Sequence, residues 1–335
     1  MKTLIVGQGE VRKLLGMGEC LELMVKALQT VATGDALQPL RSAMWLPSKR
    51  GVLGLMPSYL ANLAVMGVKA ISVFPANQGT PYDSHQGVVL LYEVEHGRLV
   101  AVADATEITA IRTAAVSGVA TDRLACPDAG DLAILGSGVQ ARSHLQAMLM
   151  VRTIRRVRVW SRNSEHCRVF AERESTRHHL SIESMDSAQE AVAGAEIICT
   201  LTAAKEPVLL GSWVSPGAHI NAVGSCTPSA RELDGNAVAR AELFVDRRES
   251  ILNESGDFLL AREEGAVGED HIQAELGDVL VGRHKGRSSP SQITLFKSLG
   301  LAVEDLACAH HIYHGALKAN AGTAVELGGG RYETD

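Results

Sequence analysis

One ten-residue stretch limits the architecture more than any other. Leu132-Ala133-Ile134-Leu135-Gly136-Ser137-Gly138-Val139-Gln140-Ala141 passes from an apolar run through Gly-x-Gly-x-x-Ala into a helical pattern. A lone glycine pair says little, but this one lies where strand and helix patterns alternate, the setting in which such a turn cradles a dinucleotide. Strand-like runs at 132–135, 157–160, 197–200, 219–223 and 243–246 are interleaved with helical patterns at 140–150, 164–174 and 187–193. That alternation predicts a Rossmann-type, doubly wound parallel sheet with helices on both faces. Gly136 permits the tight turn, Gly138 lets backbone approach a pyrophosphate, and Ala141 lets the helix pack close to the sheet. The helix N-terminus adds unpaired N–H groups and partial positive charge, so Gly136, Ser137, Gly138, Val139 and Gln140 are candidate cofactor ligands.

The end of the second strand bears on which dinucleotide. An NAD site usually places a carboxylate there for the ribose hydroxyls, whereas this strand ends in Trp160-Ser161-Arg162-Asn163. With no acid to repel a 2′-phosphate and Arg162 able to hold it by charge-assisted hydrogen bonds, Ser161, Arg162 and Asn163 point to NADP(H), with NAD(H) the alternative. The plainer reading of Arg162 is a solvated surface charge.

The chain has 335 residues, room for roughly two domains by the ~150-residue rule. Hydrophobic residues make up 46% and charged residues 21%, enough apolar surface for packed cores. Lys plus Arg total 32 against 38 Asp plus Glu, for a net charge of −6, which leaves no basic field for nucleic acid. No apolar run is long enough to cross a bilayer, and the opening 1–10 lacks the core of a signal peptide. Cys20, Cys126, Cys167, Cys199, Cys226 and Cys308 are scattered, without the close pairs of a zinc or redox motif, so they read as reduced thiols of a cytoplasmic protein.

Outside the alternating region the texture differs. Apolar residues from 10 to 34 recur at helical spacing and predict one amphipathic helix stopped at Gly34. Runs at 52–56, 67–74 and 87–92, separated by Gly, Pro and Asn, predict an antiparallel or mixed sheet. The stretch 107–120 suits a helix, and the tail 327–331 reads as frayed. The expected organisation is a substrate-binding and dimerisation domain at 1–124, rejoined by 300–335, and a dinucleotide domain at 125–299.

That first domain holds charges where charges are costly. Lys69 shares the face of Ile71 and Val73 by period two, and Arg112 shares a helix face with Ala115, Val116 and Val119. Arg41 sits among apolar residues after Pro39-Leu40. Taken singly, each reads as half of a structural ion pair. Together, beside a dinucleotide domain, they point to a carboxylate-bearing substrate.

Several ordered segments resemble the ornithine cyclodeaminase/mu-crystallin family: Pro39-Leu40-Arg41, Leu55-Met56-Pro57, Gly67-Val68-Lys69, Ser84-His85-Gln86-Gly87, Ile111-Arg112-Thr113-Ala114-Ala115, the Gly136 turn, Asn221-Ala222-Val223-Gly224 and Ser291-Gln292-Ile293-Thr294-Leu295-Phe296. The resemblance spans nearly the whole chain. It implies a homodimer, with Arg41, Lys69 and Arg112 as catalytic residues that hold or polarise the substrate carboxylate. It adds Met56, His85 and Cys226 as substrate contacts, and Thr200, Thr202, Val223 and Gly224 as cofactor contacts. Ornithine cyclodeaminases carry an aspartate just after the Asn-Ala-Val-Gly segment, where this chain has Cys226. That departure, with the NADP signal, turns the expectation toward NADPH-dependent reduction of cyclic ketimine acids, Δ1-pyrroline-2-carboxylate or Δ1-piperideine-2-carboxylate, to proline or pipecolate. Ornithine cyclodeamination, an alanine dehydrogenase-type reduction of an open-chain imine, and a non-enzymatic crystallin-like ligand binder are the alternatives.

Other signals are set aside. His310 and His314 have the spacing of a metal pair but lack the following Glu of a metalloprotease helix, so no metal site is expected. Arg152, Arg155, Arg156 and Arg158 read as solvated or helix-end charges, and Glu304 and Asp305 as caps of the last helix.

Overall fold

A computed structural model describes residues 2–77 and 79–328, so the 329–331 part of the tail lies outside the described residues. Packing divides the chain into two units, Met1–Arg112 with Leu301–Asp335, and Thr113–Gly300.

In the first unit the strands are β1 (Lys2–Val6), β2 (Ala36–Leu37), β3 (Ser42–Trp45), β4 (Val52–Leu60), β5 (Val65–Val73), β6 (His85–Glu93) and β7 (Leu99–Asp104), with a C-terminal strand Thr323–Glu326. They run C-terminal strand–β1–β7–β6–β5–β4–β2, and β3 also lies along β4. All pairs are antiparallel except β1 with β7. Period two sorts the strands into faces: Met56, Lys69, Ile71 and Val89 are buried, whereas Met44, Leu53, Leu55 and Met66 are exposed. The C-terminal helix Ala302–Ala319 packs on β4, β5, β6 and β7. At Gly67 the approach leaves no room for a side chain, since a Cβ there would stand 2.7 Å from Leu306 Cδ1.

The single helix expected over 10–34 is two, α1 (Gln8–Leu14) and α2 (Met17–Thr33). Each begins at a glycine whose N–H donates to a glutamate three residues on, Gly7 to Glu10 Oε2 at 2.9 Å and Gly16 to Glu19 Oε2 at 3.2 Å. These half capping boxes restart the helix where apolar spacing alone runs on. Helix α3 (Ala105–Leu124) carries Arg112, and the division between the units falls within it.

In the second unit every strand is parallel: β8 (Asp131–Leu135), β9 (Arg156–Trp160), β10 (Ile182–Ser184), β11 (Ile197–Thr200), β12 (His219–Ala222), β13 (Glu242–Val245), β14 (Ile272–Glu275) and β15 (Thr294–Lys297). Their order is β10-β9-β8-β11-β12-β15-β13-β14. Both faces are covered, so Leu132 through Leu135 are all 0% exposed, as a buried parallel strand requires. Successive strands step away from β8 in one direction and then, from β11, in the other. The crevice beyond the ends of β8 and β11 is thus the switch point at which doubly wound sheets take their ligands. Among the described residues no helix is long and apolar enough to cross a membrane.

Arg158 corrects an expectation. It is not a solvated charge: on β9 it is 2% exposed, with Nη2 2.5 Å from Asp131 and Nη1 donating to the Glu190 and Ala193 carbonyls. Its neighbours behave more nearly as expected. Arg152 follows helix α4 (Val139–Val151) and donates to the carbonyls of Thr121, Asp122 and Val151, while exposed Arg155 and Arg156 pair with Glu196 and Glu183.

Candidate active site

Lys69, from the middle of β5, and Arg112, from α3, meet on one carboxylate. Lys69 Nζ lies 3.0 Å and Arg112 Nε 3.1 Å from Asp305 Oδ1, and Arg112 Nη1 lies 2.8 Å from Glu304 Oε2. The two acids open the C-terminal helix and are 0% exposed, while Lys69 and Arg112 are 3% and 4% exposed. Two cations therefore face two anions where bulk solvent screens little. Glu304 also caps its helix by accepting from Leu301 N–H at 3.2 Å, but capping is the smaller part of its work, and Asp305 is a counter-ion rather than a cap. Sequence reasoning missed this. The available signal was a pair of acids at the start of a helix whose neighbours Ala302, Val303, Leu306, Ala307 and Cys308 are all apolar.

Burial pulls the Lys69 ammonium down to about 8, with Arg112 also lowering it and Asp305 pulling it back up. Arg112 loses solvation too, but Asp305 and Glu304 outweigh that and its pKa is raised. Around this pair the sheet sets further residues in line. Met56 is the cross-strand partner of Lys69, and Ser42 pairs with Leu55, so Arg41 enters β3 beside Met56. Arg41 is half-buried. His85 pairs with Val73 on the face of Lys69. Although its ring retains solvent contact, desolvation and the Lys69 charge both lower its pKa, and Ser84 Oγ lies 3.0 Å from its Nδ1.

In the second unit the glycine turn has the form its sequence requires. Gly136 has φ +123°, and a Cβ there would stand 2.7 Å from the Leu201 carbonyl oxygen at the end of β11, so only glycine fits. Above Gly138, the N-cap of α4, a Cβ would meet nothing within 4 Å, so a ligand can approach the backbone closely at the start of this helix, the end that favours a phosphate. Ser137 Oγ donates to Ser161 Oγ at 3.0 Å and ties this turn to the end of β9. Arg162, next along, is exposed and makes no hydrogen bond or ion pair among the described residues. Asn163 instead caps helix α5 (Ser164–His178), its Oδ1 accepting from His166 N–H at 3.0 Å.

The expected cofactor residues Thr200, Thr202 and Gly224 turn inward onto a group the sequence reading missed. Buried Glu232 accepts from Thr200 Oγ1 at 2.8 Å, Thr202 N–H at 2.6 Å, Thr202 Oγ1 at 2.7 Å and Gly224 N–H at 2.7 Å. Asp257 Oδ1 accepts the Glu232 N–H at 2.7 Å, and Asp257 Oδ2 pairs with Lys297 Nζ at 2.8 Å. Lys297 in turn donates to the Ser225 carbonyl at 2.7 Å. Val223 is buried, and Cys226 is exposed just beyond, its Sγ 3.5 Å from the Val223 carbonyl. These contacts fix the ends of β11, β12 and β15, the rim on which a dinucleotide would rest.

His310 and His314 hydrogen-bond to each other, Nε2 to Nε2, at 3.1 Å. Glu93, Glu95 and His96 cluster on the turn after β6, where Glu93 accepts the backbone N–H groups of Glu95, His96 and Arg98 and so closes the turn.

Residues 1–320 match the model of a protein family described as ornithine cyclodeaminase/mu-crystallin. The chain is 43% identical to mouse ketimine reductase mu-crystallin over 280 residues, 84% of this chain and 85% of the mouse protein. A structure of Thermococcus litoralis Δ1-pyrroline-2-carboxylate reductase in complex with NADH and L-proline superposes with a TM-score of 0.94 at 39% identity, covering 96% of this chain and all (100%) of that one. An archaeal alanine dehydrogenase dimer with bound NAD superposes with a TM-score of 0.92 at 30% identity, covering 98% and 100%.

Proposed function

The chain belongs to the ornithine cyclodeaminase/mu-crystallin family, and from that premise we propose that it is an oxidoreductase that uses NADPH to reduce a cyclic ketimine acid, Δ1-pyrroline-2-carboxylate or Δ1-piperideine-2-carboxylate, to L-proline or L-pipecolate. The observation that carries this reading is the meeting of Lys69 and Arg112 on Asp305 within a buried sheet face. Asp305 and Glu304 balance these two cations, so the added charge of Arg41, entering β3 beside them, is what turns the cluster toward one small carboxylate.

Arg112 and Arg41 hold the carboxylate, with Met56 and His85 beside them and Cys226 a further substrate contact. Lys69 completes the clamp and delivers a proton to the imine nitrogen, a task suited to an amine whose pKa stands at about 8. When bound, the nicotinamide supplies the hydride that reduces the C=N carbon. The Gly136–Gln140 turn holds the pyrophosphate, the strand ends at Thr200, Thr202, Val223 and Gly224 shape the rim, and the Ser161–Asn163 corner receives the adenosine end. Arg162, exposed there and unpaired among the described residues, supports NADPH over NADH. A cytoplasmic location accords with the six cysteines, all free.

Steady-state assays with both cyclic ketimines, with pyruvate plus ammonia and with ornithine, each with NADPH and NADH, test the reading. Cyclic ketimine reduction with a lower KM for NADPH is expected. Ammonia release from ornithine, or faster turnover of pyruvate plus ammonia, overturns the reductase assignment, and a lower KM for NADH overturns the cofactor choice.

A further inference from the structure

The acids of the charge cluster have no role in the reading above, although that reading rests on the cations they hold. Asp305 contributes a single oxygen, Oδ1, to both Lys69 and Arg112, while its Oδ2 is buried without a hydrogen-bond partner among the described residues. As a structural device this is a poor arrangement. A buried ion cluster is often matched or bettered by apolar side chains of the same volume, and an unsatisfied carboxylate oxygen adds a desolvation cost. The arrangement does place one negative charge where it touches the Lys69 ammonium and the Arg112 guanidinium at once.

We propose that Asp305 is a positioning residue of the ketimine reduction, holding Lys69 Nζ beside Arg112 and keeping it protonated for transfer to the substrate nitrogen. In that step an N–H bond of Lys69 breaks and one forms at the imine nitrogen. The carbon takes the hydride of the nicotinamide, which is oxidised, and Lys69 is left neutral until it regains a proton from water. The charged groups acting on Lys69 are Asp305 and Glu304 from the C-terminal helix and Arg112 from α3, and His85 from β6 in turn feels the charge of Lys69. Met56, its partner on β4, is uncharged. Asp305 alone among these groups hydrogen-bonds to Lys69. Without its charge, desolvation and Arg112 drive the amine toward its neutral form, countered only by the more remote Glu304.

The test is the pH profile of kcat/KM for cyclic ketimine reduction. The wild-type profile is expected to fall above a pH of about 8. In Asp305→Asn the fall moves to lower pH by about one to three units, and Asp305→Glu returns it toward the wild-type position. Lys69→Arg, which cannot lose its proton, abolishes the fall along with most of the turnover. Glu304→Gln removes a charge that acts on Lys69 without touching it, moves the fall in the same direction by less, and serves if Asp305→Asn does not fold. A fall that stays at its wild-type pH in these acid variants overturns the proposal. If the wild type reduces neither ketimine, the functional reading fails by itself. Titration of the 13C-labelled lysine ε carbon, assigned with Lys69→Arg, then still reports whether Asp305 sets the charge of Lys69.

Discussion

Removing Arg112 exposes how far a single side chain is committed in this site. Its guanidinium neutralises Glu304 and shares Asp305 with Lys69, all of them buried. Arg112→Ala takes a cation from both buried acids at once, and stripping one partner from a buried ion cluster costs about 3–5 kcal/mol. Thermal unfolding should therefore begin at clearly lower temperature. In the functional reading the variant also loses a charge-assisted hold on the substrate, about 1.5–3 kcal/mol or roughly 10- to 100-fold in kcat/KM. NADPH affinity, measured by fluorescence titration, should change less than twofold, since the Gly136 turn belongs to the second unit. A large loss of NADPH binding with kcat/KM unchanged would remove Arg112 from the substrate site. Lys69 and Arg112 were legible in the sequence because a charge on an apolar face breaks the period of its element. Asp305 and Glu304 were not, because acids in a first helical turn already have an ordinary explanation in the helix dipole.

Among the elements, five of the eight strands of the second unit, β8, β9, β11, β12 and β13, were legible, the clearest being those that, covered on both faces, read as an unbroken apolar run, whereas β14 and the buried β15, which ends in Lys297, were not. Runs at 132–135 and 197–200 match β8 and β11 almost residue for residue. Short or edge strands such as β10 and Thr323–Glu326, with little apolar surface to bury, left no such run. The same contrast separates the Gly136 turn, whose chemistry is local, from Glu232, three of whose four donors, on Thr200 and Thr202, lie 30 or more residues away. Glu232→Gln tests that tie. The amide nitrogen cannot accept, so whichever way the side chain turns one backbone N–H, of Thr202 or of Gly224, loses this acceptor, while the threonine hydroxyl on the same side can turn to accept from the amide. The expected cost is about 1–3 kcal/mol for the group left unsatisfied. Lower thermal stability should be accompanied by a several-fold higher KM for NADPH, because the rim at Thr202 and Gly224 loosens. Lower stability with an unchanged KM would make Glu232 a fold determinant only.

At the scale of the whole molecule, the sheet of the first unit leaves one face unexplained by a single chain. Leu53 and Leu55 on β4, Met44 on β3 and Met66 on β5 are 38%, 40%, 62% and 39% exposed, and Met44 and Leu53 are direct cross-strand partners. An alternating strand with a polar outer side is the usual pattern of a half-solvated antiparallel sheet. Here both sides are apolar, and contiguous apolar surface of that kind marks an association site. The homodimer anticipated from the family resemblance would bury this face against its copy, while Lys69 stands on the opposite, inward side, on which the C-terminal helix packs. Leu55→Glu puts a carboxylate into the centre of the patch without touching the inner core. Leaving that charge in an apolar contact would cost several kcal/mol, so the dimer constant should weaken by about a hundredfold or more. Sedimentation velocity at micromolar concentration should then show a dimer for the wild type and a monomer for the variant, with the far-ultraviolet circular dichroism of the two unchanged. A variant that remains dimeric would move the contact off this sheet. A wild-type monomer would leave the apolar face to another partner.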